Sequence, residues 1–302
     1  MSSRSKPAAS PRPKLRRSLT APGPTRLREP LPPTGRAGRN LPAAIGVGLG
    51  LIGLIAFTLW WAKLAFLAIL VIALGMGLWE LASAFAVRSI RVPLPPLWLG
   101  TACIVLAAYW WGPEAMLTAF VATVGAAFAW RVAQSNDTAT IRDATVTVFA
   151  TAYLPLAGGF VALLIAPVRG VTYVLLYIAV TVANDVGGYA AGVLFGKHPI
   201  APTISPKKSW EGLIGSWIFA CAVGLVGMWI LAAPWWLGLL LGFLGVLAAT
   251  TGDLAESLLK RDLGLKDMGS ILPGHGGLMD RLDSLVMTAP VCYLLLPWAL
   301  EG

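Results

Sequence analysis

Of the 302 residues only 12% are charged and 57% are hydrophobic, whereas a soluble domain carries about 25% charged residues, so an ordinary soluble globular fold is excluded. A net charge of +9 would suit a nucleic-acid binder. Its placement argues otherwise: ten of the 23 lysines and arginines lie in the first 40 residues, beside eight prolines and a single acid, Glu29.

Taken in chain order, residues 1–40 carry too little apolar surface to fold and read as a disordered, basic, Pro-rich cytoplasmic tail. The tail lacks the apolar stretch of a signal peptide; its expected roles are to set topology and to rest on anionic lipid. Residues 41–302 read as one transmembrane domain. Apolar runs such as 42–61 and 144–166 are long enough to cross ~30 Å of hydrocarbon as helices. Nine spans are expected: 42–61, 63–86, 94–112, 114–131, 144–166, 170–195, 212–232, 235–261 and 283–300. The fold class is therefore all-α, a polytopic membrane protein with about nine transmembrane helices. With the tail inside, 21 lysines and arginines fall on the cytoplasmic side, against only Lys63 and Arg169 opposite. The positive-inside rule then puts the N-terminus in the cytoplasm, across the inner (plasma) membrane. Cys103, Cys221 and Cys292 stand singly in apolar runs, without zinc or disulfide spacing.

From residue 170 onward polar residues cluster, and they do so toward one side. Four carboxylates fall inside the spans: Glu80, Asp185, Asp253 and Glu256. A charge at bilayer depth is costly, so each needs a partner or a task. Asp185 sits among small residues, Gly187, Gly188 and Gly192, that permit close helix approach. Asp253, Glu256 or Ser257, and Lys260 recur at helical spacing as one polar stripe. The loop after them, KDMGSILPGHGGLMDRLD, compresses Lys266, Asp267, His275, Asp280, Arg281 and Asp283 among four glycines. Glycines admit backbone N–H groups to an anion, and the cations neutralise phosphate charge. Asp280 and Asp283, three apart at the start of the last helix, can face one point. Mg²⁺ binds through one or two carboxylates plus substrate oxygens, so this pattern suits it. His275 reads as a phosphate donor, with a general base or a turn-capping residue as alternatives. In the other cytoplasmic loop, Lys207 and Lys208 follow Ser205-Pro206 as a cationic pair where a helix begins, a favourable place for anions.

Together these blocks resemble a known signature. Ser257-Leu-Leu-Lys260-Arg261, Lys266-Asp267, Pro273-Gly-His275-Gly-Gly and Asp280-Arg281-Leu-Asp283 are similar to the signature of the phosphatidate cytidylyltransferases. Asn184-Asp185-x-Gly187 and Ser205-Pro-Lys-Lys-Ser-Trp-Glu-Gly212 resemble two further blocks of that family. The likeness is dense over about residues 180–290, and rests on hydropathy alone over 41–170. It implies an all-helical, homodimeric membrane enzyme that turns CTP and phosphatidic acid into CDP-diacylglycerol and pyrophosphate. It also implies Mg²⁺, with or without a second cation, held by Asp253 and Asp280 with Asp283 next. Asp253, Asp280, Lys260, Lys266 and His275 become the expected catalytic residues. Asp185, Ser205, Lys207, Lys208, Arg261, Gly276, Gly277 and Arg281 become the expected substrate and phosphate binders. Two other activities fit parts of the pattern. A CTP-dependent lipid kinase of the polyprenol type would release CDP instead of pyrophosphate. An ion-coupled transporter would need acids near the midplane and some polarity on both faces, whereas here the polar residues lie almost entirely toward the cytoplasm.

Overall fold

A computed structural model describes residues 25–26, 41–134, 140–269, 271 and 276–297. Its frame is helical: α1 (Leu41–Trp61), α2 (Lys63–Ala86), α3 (Leu94–Gln134), α4 (Thr140–Thr151), a single π turn (Ala152–Leu156), α5 (Ala157–Ile165), α6 (Gly170–Phe195), α7 (Trp210–Leu231), α8 (Trp235–Leu263) and α9 (Met279–Leu295). Among the described residues six helical segments are long and apolar enough to cross a membrane: 63–86, 94–134, 141–165, 170–195, 210–231 and 235–263. Their outer faces carry large apolar side chains such as Trp60, Trp111 and Trp229, whereas leucines of α2 (Leu67, Leu74, Leu78, Leu81) form a closed core with Leu97, Leu154 and Leu164. An apolar rim around an apolar core is what lipid solvent requires, and the chain is a polytopic all-α membrane protein.

Two of the expected spans are joined in α3. As one straight rod its 41 residues would reach roughly 60 Å, about twice the hydrocarbon thickness. The backbone turns instead at Gly112, with φ +84° just before Pro113. A positive φ is open to glycine, and proline has no N–H to continue the ladder. Gly100 then lies directly against Thr123, so the two legs fold back on each other as a hairpin. Segments α4 and α5 run on through the π turn at Pro155 as a single stretch.

Helices α6 to α9 form the tightest packing. Small residues let α6 and α7 touch backbone to backbone: a Cβ on Gly187 would lie 2.5 Å from the Gly215 carbonyl oxygen, and one on Gly212 would lie 2.9 Å from that of Gly188. The expected role of Gly187 and Gly188 is thereby met, because an interface of glycines removes the side chains that would hold helices apart. Ser216 Oγ adds a 2.6 Å bond to the Asn184 carbonyl across the same seam. Gly224 against Gly238 closes α7 on α8, and Gly252 against the Asp283 carbonyl closes α8 on α9.

Helix ends gather in two groups. Lys63 Nζ donates to the carbonyls of Ala166 (3.2 Å) and Pro167, and Arg169 donates to that of Leu231 (3.3 Å). Where the other ends meet, Arg88 donates to the Asp262 carbonyl and Arg142 to that of Ser89 at 2.9 Å. Arg131 forms a buried pair with Asp143 at 2.7 Å. The connection after α6 is more ordered than a plain loop. Strands β2 (Pro199–Ala201) and β3 (Ser205–Ser209) make an antiparallel hairpin, numbered here after a short strand β1 (Thr25–Arg26). Strand β1 belongs to the basic tail and pairs antiparallel with β4 (Leu265–Asp267), Thr25 opposite Asp267. Disorder therefore does not describe Thr25–Arg26; the rest of residues 1–40 lies outside the described residues.

Candidate active site

The site is built where the hairpin, the C-terminal half of α8 and the start of α9 converge. Ser209 ends β3 and caps α7, its Oγ accepting from the Gly212 N–H at 3.1 Å. A serine at that position satisfies an otherwise orphaned donor and fixes how the hairpin enters the helix. Lys207 and Lys208 precede that cap and both line the cavity beside it. Lys207 is exposed, while Lys208 reaches across to Asp253 of α8 at 2.5 Å. Around this pair lies a cavity of about 270 Å³, lined among others by Asp185, Ser205, Lys207, Lys208, Ser209 and Asp253. Asp185 is oriented by Asn184, whose Nδ2 donates to it at 2.9 Å. Five of the expected site residues (Asp185, Ser205, Lys207, Lys208 and Asp253) thus share one cavity, with both signs of charge on its wall.

A second cluster adjoins the first along α8. Ser257 Oγ donates to Asp253 at 3.3 Å, and one turn on Lys260 pairs with Asp280 at 2.8 Å and Glu256 at 3.3 Å. The polar stripe expected at 253, 256/257 and 260 is therefore present, and it faces α9. Asp280, in the first turn of α9, also accepts from the N–H groups of Met268 (3.3 Å) and Gly277 (3.0 Å). Asp283 is buried beside the Glu256 carboxyl and near Asp253, its Oδ1 accepting from the Ser284 N–H at 2.7 Å. Glu256 is 1% exposed, and neither of its oxygens accepts a hydrogen bond among the described residues. Its lysine is close enough to pair but not aligned to donate.

The other expected residues are placed as follows. Arg261 is exposed and bridges loops, donating to the carbonyls of Ile204 (3.3 Å) and Leu265 (3.4 Å). Lys266 lies exposed on β4 and Arg281 is exposed on α9. Gly276 holds φ +85°, a conformation that favours glycine; the Gly277 N–H is spent on Asp280. His275 lies outside the described residues. Two residues named in the sequence gain a place at the site that the sequence does not assign. Asn184 was visible beside Asp185, but nothing marked it as the residue orienting that carboxylate. Glu80 was visible as an intramembrane acid; its partner, the Met279 N–H at 2.7 Å, is 199 residues away.

Whether a divalent cation suits this donor set can be judged from its chemistry. All candidate ligands are hard carboxylate oxygens, and Glu256 keeps two buried oxygens without a donor. Asp253 and Asp280 are each compensated by one lysine. Among the described residues no three acids, histidines or cysteines converge into a complete protein cage. Mg²⁺ does not need one, because it keeps waters and shares its ligands with substrate phosphates. The residues fit.

The fold and cavity describe a polytopic helical membrane protein with a carboxylate- and lysine-lined cavity at one end of its bundle. The profile of the cytidylyltransferase family matches residues 42–298. The chain belongs to the cytidylyltransferase family and is a nucleotidyltransferase. The phosphatidate cytidylyltransferase of Mycobacterium leprae (strain TN) is 40% identical over 286 residues, covering 89% of this chain and 92% of that protein. The protein of that name from Mycobacterium bovis (strain ATCC BAA-935 / AF2122/97) is 37% identical over 281 residues, 89% of this chain and 92% of its own. That of Synechocystis sp. (strain ATCC 27184 / PCC 6803 / Kazusa) is 43% identical over 134 residues, 42% of this chain and 45% of its own.

Proposed function

We propose that this chain transfers the cytidylyl group of CTP to phosphatidic acid, forming CDP-diacylglycerol and releasing pyrophosphate. The observation that carries this reading is the family membership combined with the cavity shared by Lys207, Lys208, Asp185 and Asp253 at the helix ends. A phosphate-monoester oxygen of phosphatidic acid attacks the α-phosphorus of CTP, and the bond from that phosphorus to the bridging oxygen of pyrophosphate breaks. The second pKa of a phosphate monoester is about 6, so the nucleophile is already largely anionic and needs no strong base. The difficulty is to bring two polyanions together and to receive the charge on the leaving group.

Lys207, exposed at the cavity wall, can hold a triphosphate oxygen from the hairpin. Lys208 and Lys260 each sit on a carboxylate and can exchange that partner for a phosphate oxygen. Lys266 and Arg281 extend the cationic surface beyond the cavity, with Ser205 and Gly276 as further phosphate contacts, Gly277 holding Asp280 instead, and Arg261 fixing the two loops together. His275 serves as a phosphate donor. Mg²⁺, bound through Asp253 and Asp280 with Asp283 next, would supply charge neutralisation at the triphosphate.

The site requires cytoplasmic CTP and a lipid held in the bilayer. The proposed topology has nine crossings of the inner membrane, N-terminus and site cytoplasmic, in a homodimer. In support, α1 is of spanning length, α3 divides at Gly112, and α9 follows α8 in the bundle. The two helix-end groups also match the alternation that nine crossings demand.

The test is to incubate purified protein with α-labelled CTP, phosphatidic acid and Mg²⁺. Label in the lipid extract with stoichiometric pyrophosphate is the expected result. Release of CDP instead would identify a kinase, and retained activity in excess chelator would remove the metal.

A further inference from the structure

Glu80 belongs to α2, in the half of the chain that the site motifs do not touch, yet it is 2% exposed and lies inside the loop that precedes α9. Its Oε2 accepts from the Met279 N–H at 2.7 Å, next to Asp280. Its Oε1 is buried without a hydrogen-bond partner among the described residues. Two glycines of the loop close around this carboxylate. A Cβ on Gly269 would fall onto Glu80, and a Cβ on Gly277 would lie 2.8 Å from both Glu80 Oε2 and Asp280 Oδ2. Just past the end of α2, Arg88 donates to the Asp262 carbonyl in the last turn of α8. Leu282 of α9 packs on Gly77, one turn before Glu80. Helix α2 and the turn after it thus touch the end of α8, the connecting segment and the start of α9.

A buried carboxylate is an expensive way to fill space, since a leucine would pack there without desolvating a charge. What a leucine cannot do is accept a backbone N–H at a helix N-terminus, where an anion is also favoured by the dipole. We propose that Glu80 is a positioning residue for the nucleotidyl transfer. It anchors the first turn of α9 so that Asp280, pinned by the N–H groups of Gly277 and Met268, meets Lys260 in register. This role rests on the function proposed above, and it gives the front half of the chain a direct part in the site.

Per folded enzyme, Glu80→Ala is expected to lower kcat about tenfold, the equivalent of one lost hydrogen bond. The KM for CTP should change less than kcat, because Lys207 and Lys208 of the hairpin do not touch Glu80. Glu80→Gln keeps an acceptor for Met279 and should recover most of the loss. Gly269→Ala should impair the wild type but add little to Glu80→Ala, since the carboxylate it would strike is gone. Wild-type kcat in Glu80→Ala, or fully additive effects of the two substitutions, would overturn the proposal. Amide exchange over Gly277–Leu282, measured on the same proteins, does not depend on turnover. Faster exchange in Glu80→Ala supports the anchor, and unchanged exchange overturns it. A wild type that shows this anchoring but makes no CDP-diacylglycerol would remove the proposed function and leave the anchor standing.

Discussion

Replacing Lys260 by methionine keeps most of the side-chain volume and removes a charge that pairs with both Asp280 and Glu256. The three side chains are 13%, 10% and 0% exposed, so solvent screens the cluster weakly. Breaking a buried ion pair by deleting one partner costs about 3–5 kcal/mol, because the remaining charge is stranded. Here two carboxylates lose the same lysine, so the loss should fall in about that range. For a chain of this size roughly 2–4 °C of Tm is lost per kcal/mol, so Lys260→Met should unfold roughly 6–20 °C below wild type in detergent. Intrinsic tryptophan fluorescence during heating reads the transition. Adding Glu256→Gln to Lys260→Met removes one of the stranded charges and should recover part of the deficit. A Tm within about 2 °C of wild type for Lys260→Met would refute the reasoning, since less than about 1 kcal/mol would then rest on the cluster.

Lys207→Ala should raise the KM for CTP with a smaller effect on kcat, whereas Lys208→Ala also unpairs Asp253 and should lower both kcat and affinity; steady-state kinetics separate the two. Asp253→Asn should abolish CDP-diacylglycerol formation while the protein still elutes as a single folded species in detergent. Gly215→Leu places side-chain atoms where even a Cβ would lie 2.6 Å from the Gly187 carbonyl oxygen. Overpacking of this kind costs about 1–3 kcal/mol or more, and the variant should show a reduced monodisperse fraction on size exclusion. Deleting residues 1–28 removes β1 and should speed amide exchange at Leu265–Asp267, while exchange in α6 stays unchanged.

Much of this protein could be read from residue order because its signals are local. Hydropathy runs mark the helices, since lipid leaves a chain few other ways to satisfy its backbone. The stripe Asp253, Ser257, Lys260 follows from helical periodicity, and the close approach of α6 to α7 follows from Gly187 and Gly188. The acids of α8 stand out in the sequence as candidates for a phosphate or metal site because their types are unusual at membrane depth. What remained for the tertiary structure was the choice of partners. Lys208 pairs with Asp253 and Lys260 with Asp280 through the packing of separate elements, and the linear pattern allows several other pairings. The loop around Lys207 proved to be a hairpin, and two residues of the basic tail proved to be a strand on β4, because strand pairing depends on an edge supplied elsewhere. Glu80 shows the division most clearly. Its sequence position demanded a partner, since a buried carboxylate cannot stand alone, but only folding brings the Met279 N–H to it across 199 residues.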